Sequence, residues 1–410
     1  MYRPNKIFIG LVDIASMIGD LTKAFSELGI ETLTAMQSST VITLGKSDFV
    51  IENQLPKLEW FEDKNLGEQV RQITRHQLYN HIWKRAIAEC DTFIFLWSSF
   101  MPDYSDFIEL KKMGKKIIVY LVGSDIRWKP ITDQEFAHYG ILPMDFDDDF
   151  FERITLESRL HYLRMVERFA DVVISYPSAM QLSLRPYNKY WIPIDLSMFS
   201  ANPVQRKRPL VIHAPSKRDV KGTKYVLPVF ERLKDEGIEF DVQLIENMPY
   251  TEAIRAYNNS DILVGQLMIP GCGKQELELL ACGKVVLSSI RHQYPQINPP
   301  DCPMIDVSPE NLYDELKAII LDHPRRIEMA KQARSYVVRY HDTVRIGERI
   351  LDLLKDDSPQ PDHYPSFFRD HYIPESPHAI EISNTYTNFV KDEPWYRSYV
   401  RPGERAGLIF

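Results

Sequence analysis

Short, uninterrupted apolar runs alternate with longer amphipathic stretches along most of this 410-residue chain, and few architectures accommodate that rhythm. An apolar run without polar alternation is a strand covered on both faces, and helical segments between such runs are the crossovers that parallel strands require. The pattern predicts an α/β fold with doubly wound parallel sheets. In the first half it predicts strands at 6–12, 40–44, 92–97, 116–122 and 171–175, with helices near 15–28, 68–89, 104–113 and 151–169. The same alternation restarts with strands at 210–213, 240–245, 261–267 and 284–288 and helices near 223–236, 250–259 and 274–282. A polar stretch that carries Arg206, Lys207 and Arg208 separates the halves, as an interdomain connection does. The expected organisation is therefore one domain over 1–199, a linker at 200–208 and a second domain over 209–355, helical throughout from 309. Residues 356–410 form a tail without periodicity, whose aromatics, among them Tyr364, Phe367, Trp395 and Tyr396, favour docking on the body.

Composition narrows the function class. With 44% hydrophobic and 26% charged residues the chain is an ordinary globular one, and 410 residues suffice for two or three domains. A formal charge of -8 has the wrong sign for a surface that tracks nucleic acid. Cys90, Cys272, Cys282 and Cys302 show neither CxxC nor Cys/His spacing, which argues against a disulfide framework and a structural zinc and fits a reducing, cytoplasmic compartment. Asp13 and Asp20 interrupt the apolar N-terminus, so it reads as a buried strand rather than a signal peptide. No apolar stretch is long enough for a transmembrane helix.

In open α/β sheets ligands bind beyond the carboxyl ends of the strands, so the loops that follow the second-domain strands carry the functional expectation. The first runs from His213 to Thr223 and offers Arg218 and Lys221, a planar fork and a point charge suited to a diphosphate; its alternative is a solvated basic turn capped by Thr223. The second holds Gly271, Cys272, Gly273 and Lys274 and opens a helix, where close backbone approach and free N–H groups favour an anion. One turn into that helix Glu278 is placed to accept from a ribose diol, or else is a solvent-facing charge. The third loop, with Asn247 and Met248, suits a nucleobase slot.

Together these loops resemble the nucleotide-binding half of the GT-B glycosyltransferases, particularly the retaining family 4. The likeness is carried by Arg218, Lys221-Gly222-Thr223, Gly271-Cys272-Gly273 and Glu278-Leu279-Leu280-Ala281-Cys282-Gly283-Lys284-Val285-Val286, and is specific over about residues 209–290. It extends more loosely to residues 114–127 and 192–195 of the first half. The resemblance implies two Rossmann-like domains facing a cleft, a UDP- or GDP-sugar donor, transfer to a glycan, lipid-linked or other hydroxyl acceptor with retention, and neither an obligatory metal nor another cofactor. It makes Arg218, Lys221, Gly271, Gly273 and Lys274 the diphosphate ligands and Glu278 the ribose ligand.

Two positions depart from the family pattern. Pro270 stands where the first glutamate of the E-x7-E motif faces the donor sugar, and Glu276, roughly 200 degrees around the helix from Glu278, does not simply replace it. Val122 stands where many relatives carry a histidine, which leaves Asp125 and Arg127 as catalytic candidates, against the alternative that Asp125 caps a turn and Arg127 pairs with an acid. These departures keep a second function open, a catalytically silent partner protein that binds a nucleotide sugar or a glycan. The run Asp145-Phe146-Asp147-Asp148-Asp149 reads as an acidic turn before a helix rather than as a metal site. The basic and aromatic helix around Arg71, Arg75, Trp83 and Arg85 reads as solvated, with contact at an inner membrane surface as its alternative. Oligomeric state has no signal in the sequence.

Overall fold

The computed structural model describes residues 2–38, 47–143, 154–202, 206–294, 298–299, 301–355 and 361–363. Each of two compact units is built on its own parallel sheet. The described residues of Met1–Trp128, Phe150–Tyr190 and Gly347–Phe410 make up the first, and those of Lys129–Asp149 and Trp191–Ile346 the second.

In the first unit the strands are β1 (Lys6–Leu11), β2 (Glu31–Met36), β3 (Phe49–Val50), β4 (Thr92–Leu96), β5 (Lys116–Tyr120), β6 (Val172–Ser175) and β7 (Asn188–Lys189), in the order β3-β2-β1-β4-β5-β6-β7. Continuous burial of β1 and β4 follows from their place in the middle of the sheet, where Phe8 pairs with Phe93 and Ile9 with Ile94. Phe8, Phe93, Phe95 and Phe100 pack ring to ring at 5.0–6.2 Å, and Trp83 of the helix Lys64–Glu89 meets Phe100 edge-on at 5.1 Å. Asp63 caps that helix by accepting from the N–H groups of Asn65 and Leu66. Its Arg71 and Arg75 both pair with Glu52. Among the described residues no helix is long and apolar enough to cross a membrane.

Strand β2 departs from the expected pattern, because Thr32 and Thr34 break the apolar run that marks a buried strand. Thr34 is nonetheless buried, since Asp48 accepts its N–H and its hydroxyl at 2.9 and 3.0 Å. The strand expected at 40–44, the acidic run 145–149 and the tail beyond 363 lie outside the described residues.

In the second unit β8 (Leu210–His213), β9 (Asp241–Leu244), β10 (Ile262–Val264), β11 (Val285–Ser288) and β12 (Ile305–Asp306) are ordered β12-β11-β10-β8-β9, all parallel. Ile262 pairs with Val211 on one side and Val285 on the other. One core cluster joins Val211, Val264 and Leu287 of the strands to Phe230 and Leu233 of the helix α1 (Thr223–Asp235) and to Leu316 and Ile319 of a later helix. The region expected to be one helical stretch is three helices, Leu312–Leu321, His323–Tyr340 and Thr343–Leu353, with Asp322 capping the second and Pro324 in its first turn.

Two chain segments are apportioned differently from the expected boundaries. Helix Lys129–His138 belongs to the second unit, where Glu135 accepts from the Tyr294 hydroxyl at 2.6 Å and Phe136 meets the Tyr294 ring edge-on. Residues from Gly347 belong to the first, because a Cβ there would lie 2.8 Å from the Leu28 side chain. Neither assignment has a local sequence signal, since both depend on contacts remote in the chain.

Candidate functional site

The order of the second sheet brings the three loops together. With β8 between β9 and β10, the loop after β8 has the loop after β9 on one side and the loop after β10 on the other. At the β8 end His213 is nearly fully buried, hydrogen-bonded through Nδ1 to the Val264 carbonyl and through Nε2 to the Thr223 hydroxyl, both at 2.8 Å. A carbonyl only accepts, so Nδ1 carries the proton and Nε2 accepts from Thr223. Burial drops the imidazole pKa to about 4, so the ring is a neutral tie between β8, β10 and the start of α1.

Past His213 the chain forms one short turn, α2 (Arg218–Lys221), and reverses at Gly222. Gly222 has a φ of 72°, and a Cβ on it would meet the Leu267 side chain at 3.0 Å, so both its conformation and its surroundings call for glycine. This reversal sends Lys221 inward and leaves Arg218 outside. Arg218 is exposed and forms a bidentate pair with Glu246 beyond β9, at 2.7 and 2.6 Å. Next to Glu246, Asn247 holds a φ of 52° and Met248 is partly buried.

Lys221 has a different partner. Its Nζ donates at 2.9 Å to Oε1 of Glu276, a carboxylate with no exposed side-chain surface. The same Oε1 accepts from the Gln266 N–H at 3.0 Å, and Oε2 accepts from the Gly273 N–H at 3.1 Å. Gly265 and Gly273 let the backbone close around this carboxylate: a Cβ would lie 2.6 Å from Oε1 at Gly265 and 2.8 Å from Oε2 at Gly273. Burial alone would raise the Glu276 carboxyl, but the Lys221 charge and these hydrogen bonds outweigh it and hold the group below its ordinary value. The sequence does not single out Glu276, because its angle on the helix separates it from Glu278. What reveals it is the pairing of β8 with β10, which is tertiary.

Gly273 begins the helix α3 (Lys274–Ala281), and Gly271 adopts a φ of 102° in the loop before it. Gly271 donates its N–H to the Ser289 carbonyl. Lys274 is partly exposed on the first turn of α3. Glu278 is 3% exposed and accepts from the Tyr250 hydroxyl at 2.5 Å, so it faces the loop after β9 rather than solvent. Gln275 donates to the Ala214 carbonyl and to Tyr257, while its Oε1 is buried with no hydrogen-bond partner among the described residues. Arg218, Lys221, the 271–274 turn, Glu278 and the 247–248 loop therefore lie at one end of one sheet. Among the described residues no group of three His, Cys, Asp or Glu side chains is placed to hold a metal ion.

Asp125 and Arg127 lie in the first unit, and both serve the turn after β5. Asp125 is buried and accepts the N–H groups of Val122 and Gly123 at 3.1 and 2.7 Å; burial raises its pKa to about 6 in spite of those bonds. Arg127 donates to the Ser178 carbonyl at 2.9 Å and the Tyr176 hydroxyl at 3.2 Å, while Tyr176 donates to the Val122 carbonyl. The turn is thereby stitched to the loop after β6. Both N–H groups that Asp125 accepts belong to residues before it in the chain, so its carboxylate ties back the start of the turn. Among the described residues the hydrogen bonds of Arg127 go to a carbonyl and a phenol rather than to an acid.

No protein-family model matches the sequence, and no curated protein matches it in sequence. Solved structures match it in fold. Anabaena HepE in complex with UDP-glucose superposes with a TM-score of 0.51 at 12% identity, over 86% of this chain and 99% of that one. Sucrose-phosphate synthase from Thermosynechococcus elongatus gives a TM-score of 0.56 at 12% identity, over 85% of this chain and 99% of the other. The chain shares with these structures the GT-B architecture of two parallel-sheet α/β domains.

Proposed function

We propose that this chain is a glycosyltransferase that moves a sugar from a nucleoside-diphosphate donor, UDP- or GDP-linked, to a glycan, lipid-linked or other hydroxyl acceptor. The observation that carries the reading is the convergence, at one end of the second sheet, of Arg218, Lys221, the glycine turn into α3 and the buried Glu278. Each supplies one requirement of such a donor. Arg218 and Lys221 match the charge of the departing diphosphate, and Lys274 with the first N–H groups of α3 adds an electropositive helix start. Gly271 and Gly273 keep the turn free of side chains where phosphate oxygens would approach the backbone, although the Gly273 N–H is held by Glu276. Glu278 is the acceptor for a ribose diol, with Tyr250 holding its carboxylate in place. Asn247 and Met248 border the base.

Glycosyl transfer needs an oxocarbenium-like centre stabilised, a leaving group neutralised and water excluded. The residues named above serve the second need. Within this reading Asp125 and Arg127 contribute by fixing the turn after β5, and contact with a sugar would require them to give up hydrogen bonds they now make. Family 4 membership, retention at the anomeric carbon, independence of metal and a role in polysaccharide assembly rest on the motif resemblance, and a cytoplasmic site of action rests on the cysteine pattern. A thermal-shift screen against UDP, GDP, ADP and CMP with their sugar conjugates, with and without EDTA, tests the reading, because a ligand specific to the native state raises the melting temperature. One nucleoside diphosphate is expected to stabilise the protein regardless of EDTA, and Lys221→Ala is expected to abolish the shift. Absence of any shift at millimolar ligand refutes it.

A further inference from the structure

The two cations that the diphosphate reading relies on are each already matched by one carboxylate, Arg218 by Glu246 and Lys221 by Glu276. The pairs differ in kind. Arg218 and Glu246 meet at the surface, with side-chain exposures of 55% and 25%, where water and salt screen the attraction and the fork can turn to another anion at little cost. Glu276 is enclosed, anchored by two backbone N–H groups and by the close approach of Gly265 and Gly273. It neither retreats nor takes up a proton near neutral pH. Lys221 Nζ and the Gly273 N–H are two of the donors that a diphosphate would seek there, and Glu276 takes both.

We propose that Glu276 is a built-in competing anion at the diphosphate seat: it neutralises Lys221 and takes the Gly273 N–H, so that a nucleoside diphosphate is held loosely and released readily. The inference rests on the donor reading above. Its sign is set by two opposed effects of removing the carboxylate. A freed lysine loses its fixed position, which costs one side chain's rotamer freedom on binding. Removing a full negative charge next to the seat, from a buried pair in a region of reduced dielectric, acts in the other direction and is the larger of the two. The residue therefore governs how much the two phosphates add to the affinity of the nucleoside alone.

Calorimetric titration of the full chain with UDP and uridine, and with GDP and guanosine, reads that quantity as a ratio of affinities. Glu276→Gln is expected to raise the diphosphate-to-nucleoside ratio about tenfold, ~1.4 kcal/mol, with nucleoside binding unchanged. Lys221→Gln is expected to lower the ratio, because the buried carboxylate then faces the phosphates alone. The double variant, neutral like the wild-type pair, is expected to return it to within about threefold of wild type, which is less than 1 kcal/mol. It also keeps the proposal falsifiable if Glu276→Gln by itself fails to fold. A ratio that falls in Glu276→Gln, as for a group that positions the lysine, overturns the proposal. So does an unchanged ratio, as for a purely structural group, or a double variant as weak as Lys221→Gln. A wild-type protein that binds neither diphosphate overturns the donor reading itself, and with it this inference; that outcome is distinct from wild-type binding with an indifferent Glu276→Gln.

Discussion

Lys221→Ala strands a carboxylate that has no access to water, and its cost follows from the geometry. Removing one partner of a buried ion pair destabilises by about 3–5 kcal/mol. Glu276 keeps the Gln266 and Gly273 N–H groups, so the lower end applies. For a cooperative unit of 150–250 residues, about 3 kcal/mol corresponds to a fall in Tm of roughly 6–12 °C. The pH dependence identifies the cause. In the wild type the folded pKa of Glu276 is depressed, so its stabilising contribution is complete above the ordinary value of 4.5 and is lost as pH falls through the folded value. Without Lys221, burial is the dominant influence and the folded pKa rises above 4.5, so the penalty is present at neutral pH and shrinks as pH falls. Differential scanning calorimetry from pH 4 to 8 should show the gap between wild type and variant wide at pH 7 and closing towards pH 4. Adding Glu276→Gln to Lys221→Ala should recover most of the loss. A gap independent of pH, or below about 1 kcal/mol, refutes the buried-pair reasoning, because it lies outside the range for a stranded interior charge.

Gly265→Ala drives a Cβ to 2.6 Å from Glu276 Oε1 and should cost about 1–3 kcal/mol by chemical denaturation, whereas Gly19→Ala, whose Cβ meets nothing, should be neutral or stabilising. Glu278→Gln should weaken UDP more than 2′-deoxy-UDP in titration calorimetry, since the deoxy ligand already lacks one donor to that carboxylate; equal losses would remove Glu278 from the ribose. Asp125 has a folded pKa of about 6 against 3.8, so its ionisation destabilises the fold as pH rises from about 4 to 6 and then levels off. Asp125→Asn should flatten that part of the stability–pH curve, as read by urea midpoints at closely spaced pH values.

Local pattern carried most of the architecture. Strands covered on both faces announce themselves as unbroken apolar runs, so β1, β4, β5, β6, β8, β10 and β11 were legible to within a few residues, as were the longer helices between them except Lys129–His138, where no helix was expected. Strand β2 was not, because what makes Thr34 tolerable in the interior is Asp48, fourteen residues away and outside the local pattern. Helix Lys129–His138 follows a first-unit turn without a break in composition, and only the bond from Tyr294 to Glu135 shows which unit it serves.

The chemistry divides in the same way. Sequence by itself determined which residue types stand at the strand ends: two cations, a glycine turn opening a helix, and a glutamate one turn in. Tertiary structure decided what those groups touch. The order β10-β8-β9 sets the loop after β8 between its two neighbours, so that Arg218 meets Glu246 and Lys221 meets Glu276 across 28 and 55 residues of chain. Charge compensation between residues that far apart depends on strand order and burial, and neither is written in the spacing of either partner.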